Sequence, residues 1–181
     1  MRTVVGWILI AAVIAAVLWF AVPRDDRLPE SPPQQDPNYV PTSIPQPDDA
    51  QPATVNYVHD GDTIFLSTLA DPNLKVRLLA VDTPEVGDNA ECYGDAARDH
   101  LRALLPEGAT VYTAADVEPL DQYGRSLLFV WTADGTLVNY SLVADGYAEA
   151  VFIGQNRLYE PEFEAAGDAA MDAGAGFWGA C

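Results

Sequence analysis

An uncharged run of twenty residues, from Thr3 to Val22, constrains this chain more than any other feature. A helix of that length spans about 30 Å, the thickness of a bilayer core. Arg2 and the α-amine precede the run, so we expect the N-terminus to stay in the cytoplasm and everything after residue 23 to lie outside it. Residues 1–22 are therefore predicted to be a transmembrane anchor. The alternative is secretion after signal cleavage, although signal peptides have a shorter apolar region of about 7–15 residues.

A proline-rich stretch from Pro23 to Pro52 separates this run from the rest of the chain. It holds nine of the fourteen prolines, and most of its other residues are Gln, Asp, Ser, Thr and Asn. Such a composition buries too little apolar surface to offset the entropy lost on ordering, and proline favours an extended spacer. We therefore predict three regions: the anchor over 1–22, a disordered linker over 23–52 and a folded domain over 53–181.

Acidic residues outnumber basic ones, with 27 Asp and Glu against 9 Lys and Arg and a formal net charge of −18. Proteins that bind nucleic acid tightly and without sequence preference usually carry a basic face, so this balance argues against that class. One interpretation is a solvated acidic surface that keeps the protein soluble. Another is adaptation to molar salt, where a Debye length of about 3 Å weakens repulsion between surface acids.

Short apolar segments between turn residues predict a β-rich domain after residue 52. Asp60-Gly61 separates two of them, which is typical of a hairpin. Five short strands, with helices after the third and the fifth, predict an α+β domain built as a small antiparallel barrel with helices packed on it. The predicted strands are 55–59, 63–69, 74–81, 110–117 and 127–132, and the predicted helices are 94–105, 138–145 and 158–171.

The chain has two cysteines, Cys92 and Cys181. They are too few for a four-cysteine zinc site, and neither lies in a C-x-x-C motif. In an oxidising compartment an even pair predicts one disulfide, which would stabilise the fold by about 4–5 kcal/mol on the chain-entropy argument. The alternative is a pair of unrelated thiols.

Three polar clusters carry residue types that suit phosphate chemistry. The first is Asp60-Gly61-Asp62-Thr63 at the hairpin, the second runs from Arg77 to Glu85, and the third runs from Asp121 to Arg125. Carboxylate and carbonyl oxygens suit hard cations such as Ca²⁺, and an arginine fork suits a phosphate. Each cluster alone is also compatible with an ordinary turn, so the prediction of a site depends on their combination.

The order, spelling and spacing of these clusters resemble the staphylococcal nuclease (thermonuclease) family. The likeness covers residues 54–178, and the resemblance implies a five-stranded OB-fold barrel capped by three helices. That architecture agrees with the number and order of the predicted elements. The matching stretches are 58–63 (VHDGDT), 76–85 (VRLLAVDTPE), 121–125 (DQYGR), 137–139 (LVN) and 146–148 (GYA).

The resemblance implies a Ca²⁺-dependent endonuclease, a phosphodiesterase that cleaves DNA and RNA and leaves 3′-phosphates. In such a site, oxygen ligands bind the cation, a carboxylate positions or deprotonates the attacking water, and two arginines bind the phosphate and oppose its transition-state charge. Residue by residue, the implied ligands are Asp62, Asp82 and, by its carbonyl, Thr83; the carboxylate is Glu85; and the arginines are Arg77 and Arg125.

The expected contacts with nucleic acid depart in part from the family pattern. Tyr123 and Phe152 are the implied substrate-binding residues, because aromatic rings stack on bases. A member of that family places tyrosines where Phe152 and Gly154 stand and a lysine where Gln122 stands, and an acidic loop over 86–91 replaces a basic one. The expected partners are DNA and RNA as substrates and the membrane through the N-terminal helix, with no obligate protein partner.

Two other functions compete with a nuclease. One is a non-catalytic OB-fold module that binds nucleic acid or protein, as domains of this fold do once their active sites erode. The other is an acidic structural calcium binder. All six implied site residues are present, whereas erosion is expected to remove at least one, and the two arginines argue against a calcium-binding role alone.

Overall fold

The structure, a computed structural model, describes residues 43–181, which form five strands, four α-helices and one 3-10 turn at Gly87–Asn89. Three of the helices correspond to the predicted ones, and a short fourth one lies at the C-terminus. The elements are β1 (Gln51–Val58), β2 (Thr63–Ser67), β3 (Leu74–Leu78), α1 (Gly94–Leu104), β4 (Thr110–Ala114), β5 (Ser126–Thr132), α2 (Val138–Ala144), α3 (Glu160–Ala173) and α4 (Phe177–Ala180).

The strands form a closed barrel in the order β1-β2-β3-β5-β4, which β1 and β4 close by pairing with each other. Four of the pairs are antiparallel, but β3 and β5 run parallel, so the prediction of an antiparallel barrel is wrong at this pair. A parallel pair needs a crossover connection, and here α1 and β4 lie between the two strands in sequence. The register places Arg77 on β3 between Thr63 on β2 and Leu127 on β5.

The helices form where apolar residues recur at helical spacing. Along α1, Ala97 and Leu101 are buried, Leu105 is buried just after it, and Pro106 follows. Helix α2 packs against β5 and α3. Helices α2 and α3 both add fully buried side chains to the core. Aromatic contacts join the barrel to the helices: the ring centroid of Phe129 on β5 lies 6.0 Å from that of Phe163 on α3.

The third strand ends at Leu78, three residues before the predicted end. The chain turns at Leu79 and Ala80, and Ala80 adopts a φ of 61°, in the left-handed region that non-glycine residues rarely occupy. The following residue, Val81, is buried. This turn, rather than a continued strand, directs Asp82 and the residues after it across the end of the barrel.

The N-terminal edge of the fold includes residues that precede Ala53. Strand β1 begins at Gln51, and its first four residues pair with β4. Ile44 is buried, and its carbonyl accepts a hydrogen bond of 3.1 Å from the Trp131 indole N–H. The predicted anchor and most of the predicted linker lie outside the described residues. Within residues 43–181, no helix has the length and apolar character needed to cross a membrane.

A disulfide joins the start of α1 to the end of the chain. Cys92 and Cys181 are bonded, with their Cα atoms 6.1 Å apart and 89 positions apart in sequence. Of the two alternatives for the cysteines, the structure therefore contains the paired one. The bond closes a loop that includes α1, β4, β5, α2 and α3.

Candidate active site

The β1–β2 hairpin presents Asp62 toward the end of β3. The Asp60 carboxylate accepts hydrogen bonds from the backbone N–H groups of Asp62 (3.1 Å) and Thr63 (2.7 Å), which fixes the turn. Gly61 lies directly against Thr83, and a Cβ at position 61 would overlap that side chain. A glycine here therefore allows the hairpin to approach the Asp82-Thr83 segment closely.

Arg77 connects the hairpin to the segment that follows β3. Its Nη2 lies 3.0 Å from Asp62 Oδ2 and 2.8 Å from Asp82 Oδ1, and its Nη1 donates to the carbonyls of Leu78 (2.9 Å) and Val81 (2.6 Å). Only 9% of the Arg77 side chain is exposed. Four contacts thus hold one guanidinium between two carboxylates that are twenty positions apart in sequence.

Asp82 and Thr83 are fixed by contacts on both sides. The backbone of Asp82 pairs with that of Glu149 through two hydrogen bonds, of 2.9 and 2.8 Å. The Thr83 hydroxyl lies 3.5 Å from Asp62 Oδ2, and Asp62 Oδ1 also accepts a hydrogen bond of 3.0 Å from the Thr63 hydroxyl. We call the group of Asp62, Arg77, Asp82 and Thr83 the acidic cluster.

Negative charge exceeds positive charge in the acidic cluster. Burial raises the pKa of Asp62 to about 6; the Arg77 guanidinium acts in the opposite direction, and the charges of Asp60 and Asp82 raise the pKa further. One guanidinium therefore does not compensate the carboxylates around it, and an additional cation would stabilise their ionised forms.

The oxygen atoms of the acidic cluster fit a hard cation. Its donors are the carboxylates of Asp62 and Asp82 and the main-chain carbonyl of Thr83, with no sulfur or imidazole among them. Within residues 43–181, no three His, Cys, Asp or Glu side chains converge into a complete ligand set. These residues would thus supply part of a coordination shell, as is common for Ca²⁺, which takes 6–8 oxygens that include waters.

Glu85 lies three residues after Asp82 but contacts other groups. Its backbone N–H donates to Glu91 Oε2 at 3.0 Å, and its carbonyl accepts from the Glu91 N–H at 2.9 Å. Glu85 is exposed. Among the described residues its carboxylate has no hydrogen bond or ion pair, so it is available to water or to a ligand.

Arg125 lies beside the strand that carries Arg77 but does not touch the acidic cluster. Val76 pairs with Ser126, the residue that follows Arg125. The Arg125 Nε donates to Asp121 Oδ2 at 2.6 Å, and its guanidinium carbon lies 5.6 Å from the Tyr123 ring centroid. Burial acts to raise the pKa of Asp121, but hydrogen bonds from Arg125 and Tyr123 lower it. A short loop therefore keeps this arginine paired while a quarter of its side chain is exposed (25%).

The two aromatic residues expected to bind substrate differ in exposure. Tyr123 is 76% exposed beside Arg125. Phe152 is half-buried, and the Arg157 guanidinium carbon lies 5.5 Å from its ring centroid. Neither ring contacts the acidic cluster, so the structure brings together four of the eight predicted site residues and leaves Glu85, Arg125, Tyr123 and Phe152 on surrounding loops.

Asn139 supports the site although sequence reasoning assigned it no role there. It is fully buried on α2; its Oδ1 accepts from the Val130 N–H at 2.9 Å, and its Nδ2 donates to the carbonyls of Leu79 (2.9 Å) and Leu128 (3.1 Å). It thereby binds the turn after β3 to β5 and α2. Its place in the motif at 137–139 was the available signal, because a buried side-chain amide must find partners.

The family profile described as "Staphylococcal nuclease homologue" matches residues 75–180, which is more than half of the 181-residue chain. The chain belongs to the staphylococcal nuclease family. The match includes Arg77, Asp82, Thr83, Glu85 and Arg125 and begins after the hairpin that carries Asp62. In this member of the family, the ion pair between Asp62 and Arg77 links the hairpin to the matched region.

Curated relatives carry the names of nucleases. Endonuclease YhcR of Bacillus subtilis (strain 168) is 35% identical over 134 residues, which cover 68% of this chain and 11% of that protein. The thermonuclease of Staphylococcus intermedius is 37% identical over 108 residues, covering 58% of this chain and 62% of that protein. The thermonuclease of Staphylococcus hyicus is 32% identical over 112 residues, covering 60% and 64%. The chain thus spans less than two thirds of the length of each.

Proposed function

We propose that this protein is a Ca²⁺-dependent endonuclease that hydrolyses phosphodiester bonds of DNA and RNA and leaves 3′-phosphate products. The observation that carries the proposal is the guanidinium of Arg77, held at 3.0 and 2.8 Å between the carboxylates of Asp62 and Asp82. A fixed positive charge beside an excess of acidic oxygens suits a phosphate and a cation bound side by side. The names of the relatives, an endonuclease and two thermonucleases, support the same reaction class.

Asp62, Asp82 and the Thr83 carbonyl would hold the cation. A divalent cation in that position supplies polarisation of a phosphoryl oxygen and offsets the charge of the bound phosphate. The raised pKa of Asp62 supports this role, because the buried carboxylate gains more from a nearby positive charge than an exposed one does.

Two arginines would act on the phosphate in different ways. Arg77 is fixed by its contacts with two carbonyls and two carboxylates, so it opposes negative charge at phosphorus with little reorganisation. Arg125 is paired with Asp121 in an exposed loop. Its guanidinium donates to that carboxylate through Nε alone, so its remaining N–H groups can bind a phosphate when substrate arrives.

Glu85 would accept a proton from the attacking water. Its carboxylate is exposed and without a partner among the described residues, whereas those of Asp62 and Asp82 are paired with Arg77. A carboxylate at hydrogen-bonding distance from water gives general-base assistance of about 10²–10⁴-fold. The acidic cluster would thus stabilise charge, and Glu85 would accept the proton.

The proposed location is outside the cytoplasm, with residues 1–22 as a membrane anchor. The disulfide between Cys92 and Cys181 supports an oxidising compartment, and the uncharged run from Thr3 to Val22 has the length of a bilayer span. Protease digestion of intact cells tests this proposal: the domain should be cut from the outside and, before digestion, should fractionate with the membrane. A domain that is protected until lysis would refute it.

The function is tested with the full chain, Ca²⁺ and defined DNA and RNA substrates. Cleavage should require Ca²⁺, stop with EDTA and leave 3′-phosphate ends. Glu85→Gln should lower kcat by about 10²–10⁴-fold, while Glu107→Gln, an exposed acid at a turn after α1, should cut like the parent. Cleavage assays at low and high KCl distinguish the two interpretations of the acidic composition, which are adaptation to molar salt and solubility alone. Absence of cleavage in every condition, or parental activity of Glu85→Gln, would contradict the proposed mechanism.

A further inference from the structure

The loop between Glu85 and Glu91 is closed by two hydrogen bonds that the proposed mechanism does not use. The Glu85 N–H donates to Glu91 Oε2 at 3.0 Å, and the Glu91 N–H donates to the Glu85 carbonyl at 2.9 Å. Gly94, the first residue of α1, lies so close that a Cβ there would overlap the Glu85 carbonyl oxygen. The backbone of Glu85 is therefore held firmly from one side, whereas no residue from 43 to 181 makes a hydrogen bond or ion pair that would orient its carboxylate.

The residue that holds Glu85 is itself next to the disulfide. Cys92 follows Glu91 and is bonded to Cys181. The C-terminal segment has its own attachment to the fold, because the Phe177 N–H donates to the Gly146 carbonyl at 2.9 Å. Gly176 approaches Gly146 so closely that neither position has room for a side chain. Glu91 is thus connected covalently to an element that is docked independently of the loop.

We propose that Glu91 is a positioning residue for the Glu85 carboxylate, and that the Cys92–Cys181 disulfide keeps Glu91 in place. The inference rests on the proposed role of Glu85. The loop between them carries Asp88 as a third acid, and repulsion between these like charges opposes closure of the loop. The two hydrogen bonds between Glu85 and Glu91, together with the disulfide at Cys92, keep the loop closed against this repulsion.

Steady-state kinetics of full-length variants test the role of Glu91. Glu91→Ala removes the acceptor for the Glu85 N–H and should lower kcat about tenfold to a hundredfold, the cost of a displacement of about 1 Å at a reacting group. Since substrate contacts are unaltered, KM should stay within about twofold of the parent. Asp88→Ala, a matched loss of an acid from the same exposed loop, should leave both constants unchanged.

The conservative variant separates positioning from direct catalysis. Glu91→Gln keeps an amide oxygen at the same reach, so its kcat should be closer to the parent than to Glu91→Ala, and its pH profile should be that of the parent. If Glu91 itself exchanged a proton with substrate or water, Glu91→Gln would be as inactive as Glu91→Ala, and the positioning role would be refuted.

A double-mutant cycle tests the link to the disulfide. The variant with both Cys92→Ser and Cys181→Ser should keep its fold by near-ultraviolet circular dichroism and lose activity through kcat. In that background Glu91→Ala should cost clearly less than in the parent, because the two changes remove parts of one constraint. Additive losses would show that the disulfide stabilises the domain without holding Glu91.

The outcomes separate this inference from the function on which it rests. If the parent does not cleave, or if Glu85→Gln cleaves as well as the parent, the proposed function fails and the positioning role fails with it. If the parent cleaves and Glu85→Gln does not, but Glu91→Ala retains parental kcat, the nuclease stands and only the role of Glu91 is wrong.

Discussion

The acidic cluster and two site candidates on loops, Glu85 and Arg125, are held in opposite ways. Arg77 is 9% exposed at its side chain and bound by four contacts, whereas Arg125 is 25% exposed and paired within its own turn. Glu85 is exposed and only its backbone is fixed. The groups suited to a cation are thus fixed by the barrel, and the groups suited to a polymeric substrate lie on loops where partners can be exchanged.

This difference predicts different costs for mutation. Removing one partner of a buried ion pair leaves an uncompensated charge, which is strongly destabilising, whereas exposed pairs contribute little to stability. Both arginines should matter for catalysis, but Arg77, which is bound to two carboxylates and two carbonyls, should matter more for folding.

Arg77→Ala should have the largest effect. It leaves Asp62 buried without its guanidinium partner, and it also frees the carbonyls of Leu78 and Val81. We expect a loss of about 3–5 kcal/mol in the free energy of unfolding, measured by urea denaturation, together with loss of cleavage.

The matched control is Arg102→Ala on α1, where the arginine is 51% exposed at its side chain and paired with Asp99. That change should cost less than about 1 kcal/mol. If Arg77→Ala were no more costly than Arg102→Ala, the description of Arg77 and Asp62 as a buried ion pair would be wrong.

The pH dependence of stability should report Asp62 directly. Its pKa is raised from 3.8 to about 6 in the folded protein, by burial first and against the effect of Arg77. Below about pH 4 the carboxyl is protonated in both states; between about pH 4 and 6 only the folded state holds the proton. The contribution of Asp62 to stability is therefore lost as pH rises through about 6, on the order of 1–3 kcal/mol in cation-free protein.

Comparison with Asp62→Asn isolates this contribution from those of the other acids. The difference in unfolding free energy between the parent and Asp62→Asn, measured in EDTA, should fall as pH rises from 4 to 7. Saturating Ca²⁺ should reverse the trend, because the proposed cation binds the ionised carboxylate. A difference that does not change with pH would contradict the burial of a titrating group at this position.

Local patterns in the sequence predict the elements, whereas long-range geometry decides how they pair. Helix α1 follows from Ala97, Leu101 and Leu105 at helical spacing before Pro106. The parallel pairing of β3 with β5 could not be predicted in the same way, because it depends on how α1 and β4 cross the barrel. The early end of β3 depends on a left-handed turn at Ala80, a residue with no local preference for that conformation.

The site shows the same division between local and long-range information. Motif spelling identified Asp62 and Arg77 as candidates, but their 3.0 Å contact is created by the pairing of β2 with β3. The link from Glu91 to Glu85 was missed because an acid in an acidic loop gives no sequence signal for a particular partner. By contrast, Asp121 and Arg125 are four positions apart on one turn, a spacing at which a local ion pair could have been predicted.

Arg125→Ala should have the smallest effect on stability and yet a large one on activity. Only 6% of the Asp121 side chain is exposed, but its carboxylate keeps the backbone N–H bonds from Tyr123 and position 125 when the guanidinium is removed. The loss should therefore cost about 1 kcal/mol in unfolding free energy, less than for Arg77→Ala. If Arg125 binds the phosphate in the transition state, kcat should fall by about 10²–10³-fold, the usual cost of removing one electrostatic stabiliser.

Urea denaturation and single-turnover cleavage at saturating Ca²⁺ measure the two quantities on the same sample. Arg102→Ala, which removes another arginine paired with an acid on its own element, serves as the control for charge. Parental turnover in Arg125→Ala would mean that Arg125 only shapes its loop, and that the acidic cluster with Glu85 performs the chemistry alone.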